Sequence, residues 1–77
     1  YRLRKRGDVV MMITLKAARV NKNLTQAEAA EKLDISEKTL WNYEKGISYP
    51  NGPMIKKIEK LYNVSYDNLI FLPQNNG

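Results

Sequence analysis

The chain has no cysteine and no histidine. The first absence excludes disulfide staples and zinc–thiolate sites. The second removes the commonest general base and the commonest imidazole metal ligand. No apolar run approaches the roughly 18 residues that a membrane-spanning helix needs. The longest, "VVMMI" at residues 9–13, is also too short for the core of a secretory signal. None of the four glycines lies in a loop that would cradle a phosphate, and no acidic pair marks a cleft. Together these gaps argue against an enzyme and imply no cofactor and no metal, and a cytoplasmic setting fits them. With 77 residues the chain is one small domain. Packing, helix capping and association between copies are what is left to hold it.

What the chain does have is positive charge, a net +5, and its placement says more than its sum. Up to Lys22, Arg2, Arg4, Lys5, Arg6, Lys16, Arg19 and Lys22 face only Asp8. From Asn23 onward six lysines face seven acids. A polyanionic partner is implied, but the case for one has to rest on local arrangement.

Residues 1–10, "YRLRKRGDVV", lack clean periodicity and read as extended or disordered, making residues 1–12 a basic N-terminal arm. Two readings of it stand: translated sequence upstream of Met11 or Met12, or an arm lying along a DNA groove or backbone. Five short helical segments follow, and no strand is clearly signalled. The first, about Thr14 to Lys22, puts Leu15, Ala18 and Arg19 on one face; Asn23, tolerant of a left-handed backbone, ends it. In the second, Thr25 and Glu28 have the spacing of a capping box, with Ala27, Ala30 and Leu33 as the inner stripe and Asp34 as the stop. Ser36 caps the third and Gly46 ends it. "ISYPNGP" (47–53) is a loop. Pro53 stands in the first turn of the fourth segment, which buries Ile55, Ile58 and Leu61 and leaves Lys56, Lys57 and Lys60 outside. After "NVS", Ser65 caps a last short helix carrying Leu69 to Pro73, and residues 74–77 fray. The fold class is all-α, with the domain at 13–73.

On a helical wheel starting at Ser36, Leu40 and Tyr43 fall within about 40° of the start, on the core side. Glu37, Lys38, Trp41, Asn42 and Lys45 fall between about 100° and 240°, on the opposite side. That outer face holds the only tryptophan of the chain. It either lies flat on a neighbouring helix or shows itself to a partner, and exposure is the expectation. Only about three or four residues separate the second and third segments, and after the small alanines this gives a helix-turn-helix, whose second helix can enter a major groove. The stretch "LTQAEAAEKLDISEKTLWNYEKG" (24–46) resembles the phage repressor and Cro type of regulators, often called XRE-like. The resemblance extends through the "YPN" loop to "NVSYDNLIFLP" (63–73).

The resemblance implies a compact five-helix, lambda-repressor-like DNA-binding domain, with residues 36–45 as recognition helix. Glu37, Lys38 and Asn42 match base-reading positions. Trp41 sits with them where relatives carry smaller residues. It would pack on a thymine methyl, on a sugar or over the turn. Gln26, Ser36 and Thr39 match phosphate-contacting or capping positions, with Lys45 beside them. Arg19 and Glu44 match a partly buried ion pair. Side-chain chemistry agrees, since Lys donates to guanine, Asn pairs with adenine and Glu accepts from cytosine. The expected partners are a double-stranded DNA operator and a second copy of the chain. Length alone suggests a Cro-like or minimal repressor. The alternative is an antitoxin-type interaction module that also binds its own operator.

Overall fold

A computed structural model of the protein describes residues 12–72; the expected basic arm (1–12), apart from Met12, and the expected frayed tail (74–77) lie outside that range. The element order is β1 (Ile13–Thr14), α1 (Leu15–Asn21), α2 (Gln26–Leu33), α3 (Glu37–Lys45), α4 (Gly52–Tyr62), a 3₁₀ turn (Tyr66–Asn68) and β2 (Leu69–Ile70).

Each helix starts where a side chain meets the orphan N–H groups of its first turn. Thr14, Thr25, Ser36 and Asn51 accept from Ala17, Glu28, Thr39 and Met54. At α2 the capping box is complete. The Glu28 N–H donates to Thr25 Oγ1 at 3.1 Å, and the Thr25 N–H donates to Glu28 Oε1 at 2.8 Å. Those bonds to Thr25 hold the Glu28 carboxyl below the usual carboxylate range. The helices stop at left-handed residues. Asn23, Asp34 and Asn63 have φ of 59°, 61° and 56°, and Gly46 has 79°. Asn and Asp pay less for this conformation than other side chains do.

The core comprises Leu15 and Ala18 of α1, Ala29, Ala30 and Leu33 of α2, Leu40 of α3, Ile58 and Tyr62 of α4, and Leu69 of β2. The paired alanines let α3 and α4 approach α2 closely.

Four expectations need correction. Among the described residues there are four α-helices rather than five; the fifth segment is a single 3₁₀ turn, and Leu69 lies in a strand. That strand pairs parallel with β1 in the register Ile13 to Leu69 and Thr14 to Ile70. Two-residue strands carry no period-2 signal, and their pairing spans nearly the whole chain, so periodicity could not reveal them. On α2 the buried stripe runs through Ala29, Ala30 and Leu33, while Ala27 is exposed. At about 100° per residue, Ala27 lies some 120° from Leu33, outside the packed sector. Finally, α4 buries Tyr62 in place of Ile55 and Leu61, which are half-buried, as is Tyr43 on α3.

Tyr62 is 2% exposed, and its hydroxyl has no hydrogen-bond partner among the described residues. Burial, with a smaller push from Glu44 that Arg19 opposes, drives its pKa up to about 12. The folded protein therefore keeps a phenolic proton that the unfolded chain releases near pH 10. The stabilisation linked to that proton is whole below about pH 10 and is lost as pH rises toward 12. Tyr62→Phe should raise stability at pH 7 by about 1 kcal/mol, because an unpartnered buried hydroxyl is removed. It should also flatten the alkaline loss; urea unfolding at neutral and alkaline pH checks both.

Candidate nucleic-acid interface

α2 and α3 are joined by Asp34, Ile35 and Ser36. The left-handed Asp34 turns the chain, its N–H returning to the carbonyls of Ala30 and Glu31. Half-buried Ile35 packs on the core and Ser36 opens α3. The short turn fixes the angle between the helices, and one face of α3 is left away from the core.

On that face Glu37, Lys38 and Lys45 are exposed, and Trp41 and Asn42 are half-buried. Trp41 is thus less open than its place on the wheel suggested. Its indole is partly covered by two lysine side chains. Lys38 Nζ stands 4.4 Å from the ring centroid and Lys45 Nζ 5.7 Å away. Lysines three residues before and four after share the tryptophan's row on the helix, within the range of cation–π attraction. Ser36 and Thr39 form a local pair at the mouth of α3. The Thr39 N–H donates to Ser36 Oγ at 3.0 Å, and the two hydroxyls lie 2.8 Å apart.

On its inner side α3 carries a charge. Arg19 and Glu44 are each 7% exposed. Arg19 Nε donates to Glu44 Oε2 at 2.7 Å, and Nη2 donates to Oε1 at 3.3 Å. The remaining guanidinium arm, Nη1, donates to the Leu24 carbonyl at 2.8 Å, in the turn between α1 and α2. Gln26 completes the set: its Nε2 donates to Glu44 Oε1 at 3.0 Å. Three helices meet at one carboxylate, and the guanidinium bound to it also holds the α1–α2 turn. Gln26 lies about 20° from Leu33 on the wheel of α2, which turns its side chain inward. One amide hydrogen and the carbonyl oxygen of Gln26 are then left for a partner outside.

These groups border an open cleft of about 630 Å³ between α1, the start of α2 and the outer face of α3. Lys16, Thr25, Gln26, Glu37, Trp41 and Lys45 are among its walls. Lys16 was read from the sequence only as one more positive charge. No spacing rule connects α1 to the groove of a helix-turn-helix, and only the packing of α1 brings Lys16 there. Tyr49, in the loop after α3, faces the other way. Its hydroxyl is 2.6 Å from that of Tyr66, which raises its pKa, and its ring packs on Phe71 at 4.7 Å.

The helix-turn-helix family profile matches residues 15–69, and the chain belongs to that family. Over 56 residues it is 46% identical to the HTH-type transcriptional regulator ImmR of Bacillus subtilis (strain 168), covering 73% of this chain and 44% of that protein. It is 39% identical over 56 residues to the HTH-type transcriptional activator BcrR of Enterococcus faecalis, covering 73% of this chain and 28% of that protein. The chain thus spans less than half the length of these curated relatives.

The Arg19–Glu44 pair makes a sharp stability prediction. Removing one partner leaves the other charge buried and alone, at a cost of about 3–5 kcal/mol. Arg19→Leu and Glu44→Leu should each bring the domain close to unfolding at room temperature. The double variant should recover a large part of the loss, since no orphan charge remains. Denaturant unfolding of the three variants, followed by far-ultraviolet circular dichroism, measures the difference.

Proposed function

We propose that the chain is a sequence-specific double-stranded DNA-binding transcription regulator that inserts α3 into the major groove. The observation that carries this reading is the division of α3. Leu40 and Glu44 lock one side to the rest of the domain, and Glu37, Lys38, Asn42 and Lys45 stand together on the other. Helix width suits the groove, and these side-chain types complement base edges: Lys to guanine O6 and N7, Asn to adenine N6 and N7, Glu to cytosine N4. Phosphates flanking the site meet the backbone N–H groups at the start of α2, the outward part of Gln26, the mouth of α3 at Ser36 and Thr39, and Lys45. Lys16 adds a cation on the same cleft. Occupancy of the operator is the regulatory act, with no catalytic step.

The working form is a homodimer on a two-fold operator whose half-sites lie about one helical turn apart. An exposed apolar patch supports it. Ile47, Tyr49, Tyr66 and Leu72 are between 43% and 56% exposed and gather around Phe71. A contiguous patch of this kind on a small domain marks a contact surface. It begins in the loop that leaves the C-terminus of α3, so pairing there would fix two recognition helices relative to each other. The family is one of regulators rather than enzymes, and no helix among the described residues is long and apolar enough to cross a membrane. A cytoplasmic site of action follows from a DNA target.

Binding to duplexes recovered from a randomised library, compared with random duplex DNA across a salt titration, tests the reading. Equal affinity for both at every salt concentration would remove base reading by α3. Asn42→Ala should lose about 1–3 kcal/mol of discrimination at one base pair. Gln26→Ala should weaken binding by a similar factor on every sequence. The two variants behaving alike would overturn the division of roles.

A further inference from the structure

Trp41 is the one large apolar side chain on a face otherwise made of Glu37, Lys38, Asn42 and Lys45. Trp41, Gln26, Glu37 and Lys38 line a shallow hollow of about 310 Å³ at the junction of α2 and the first turns of α3. The indole forms its apolar wall and the other three its polar rim. Lys38 and Lys45 flank the ring, their ammonium groups 4.4 Å and 5.7 Å from its centroid.

The polar members of the face account for three of the four bases. Lysine suits guanine, asparagine suits adenine and glutamate suits cytosine, and each does so through hydrogen bonds. Thymine offers an acceptor and the C5 methyl, the one apolar group on the major-groove floor. The apolar wall of the hollow suits a methyl or a sugar C–H face rather than a phosphate, and of these two only the methyl depends on the base. We infer that Trp41 is a specificity-determining residue that reads the 5-methyl group of a thymine. The inference rests on the recognition-helix reading of α3 and names the base that reading leaves unassigned.

Replacing each thymine of a library-selected duplex, one at a time, by deoxyuridine removes the methyl and no hydrogen bond. For the wild-type chain, deoxyuridine at one position per half-site should weaken binding by about three- to tenfold, the effect of one buried methyl. Trp41→Ala should bind more weakly and lose the dependence at that position alone; Trp41→Phe, which keeps an apolar ring, should retain part of it. A test without substitution uses 5-bromouracil at the same position, its bromine seated where the methyl was: on irradiation the C5–Br bond breaks, bromide leaves, and C5 bonds to the aromatic side chain against it, which gives up a proton. Trp41 should be the residue found by mass spectrometry. Insensitivity of the wild-type chain to deoxyuridine everywhere, unchanged sensitivity in Trp41→Ala, or a cross-link elsewhere would each overturn the assignment while leaving DNA recognition intact. A library that yields no enriched sequence would instead overturn the recognition reading, and this inference with it.

Discussion

The structure turns on one buried carboxylate. Glu44 receives two donors from Arg19 of α1 and one from Gln26 of α2 while belonging to α3, and the same guanidinium reaches the Leu24 carbonyl between the first two helices. Apolar contacts alone would hold these short helices together without fixing their rotation, because Leu and Ala surfaces slide at small cost. A fork of charge-assisted hydrogen bonds has one geometry. Burying the pair is expensive in desolvation, and a well-packed apolar substitute can be as stable. What the pair supplies is orientation. Glu44 sits two residues beyond Asn42 and three beyond Trp41, so pinning it sets which way the outer face of α3 points.

The same network alters how Gln26 is understood. From its position at the start of α2 it reads as a free side chain reaching for a phosphate. In the folded protein its amide is anchored from inside, so whatever it offers outward is offered at a fixed place. Anchoring would make a phosphate contact there more sensitive to register than a mobile side chain would allow. It would also join DNA contact to core packing, since a phosphate at the start of α2 would touch a residue that touches Glu44.

Much of this was legible in the sequence, and the legible parts share a cause. Caps at Thr25 and Ser36, stops at Asn23, Asp34 and Gly46, and the inward Leu15, Ala18 and Leu40 are decided within a turn of helix, where local rules hold. What escaped depends on distant partners. The β1–β2 pairing joins residues 13–14 to 69–70. Tyr62 is buried in the shared core, near Arg19 of α1 and Glu44 of α3, which no periodicity within α4 records. Ala27 was misplaced by following every third residue, a spacing that drifts about 60° per step around a helix, whereas the core selected Ala29 and Ala30. For the site, the outer face of α3 was legible as residues, but the lysine-flanked setting of Trp41 and the approach of Lys16 needed the packing.

Charge gives the last constraint. Between residues 12 and 72 there are nine basic and seven acidic side chains, and Arg19 and Glu44 cancel inside the fold. The described domain is therefore only weakly cationic, and its positive groups near α3 reduce to Lys16, Lys38 and Lys45. Few phosphates can be neutralised by so few cations, and counterion release, which drives non-specific binding, scales with that number. On the proposed reading, residues 12–72 by themselves would bind arbitrary DNA weakly. Two such domains joined through the apolar patch around Tyr49 and Phe71 would make the second contact intramolecular and multiply the affinity for paired half-sites without adding charge. On the proposed reading, weak electrostatics and pairing through that patch would favour the same outcome, binding that is strong only where the bases match.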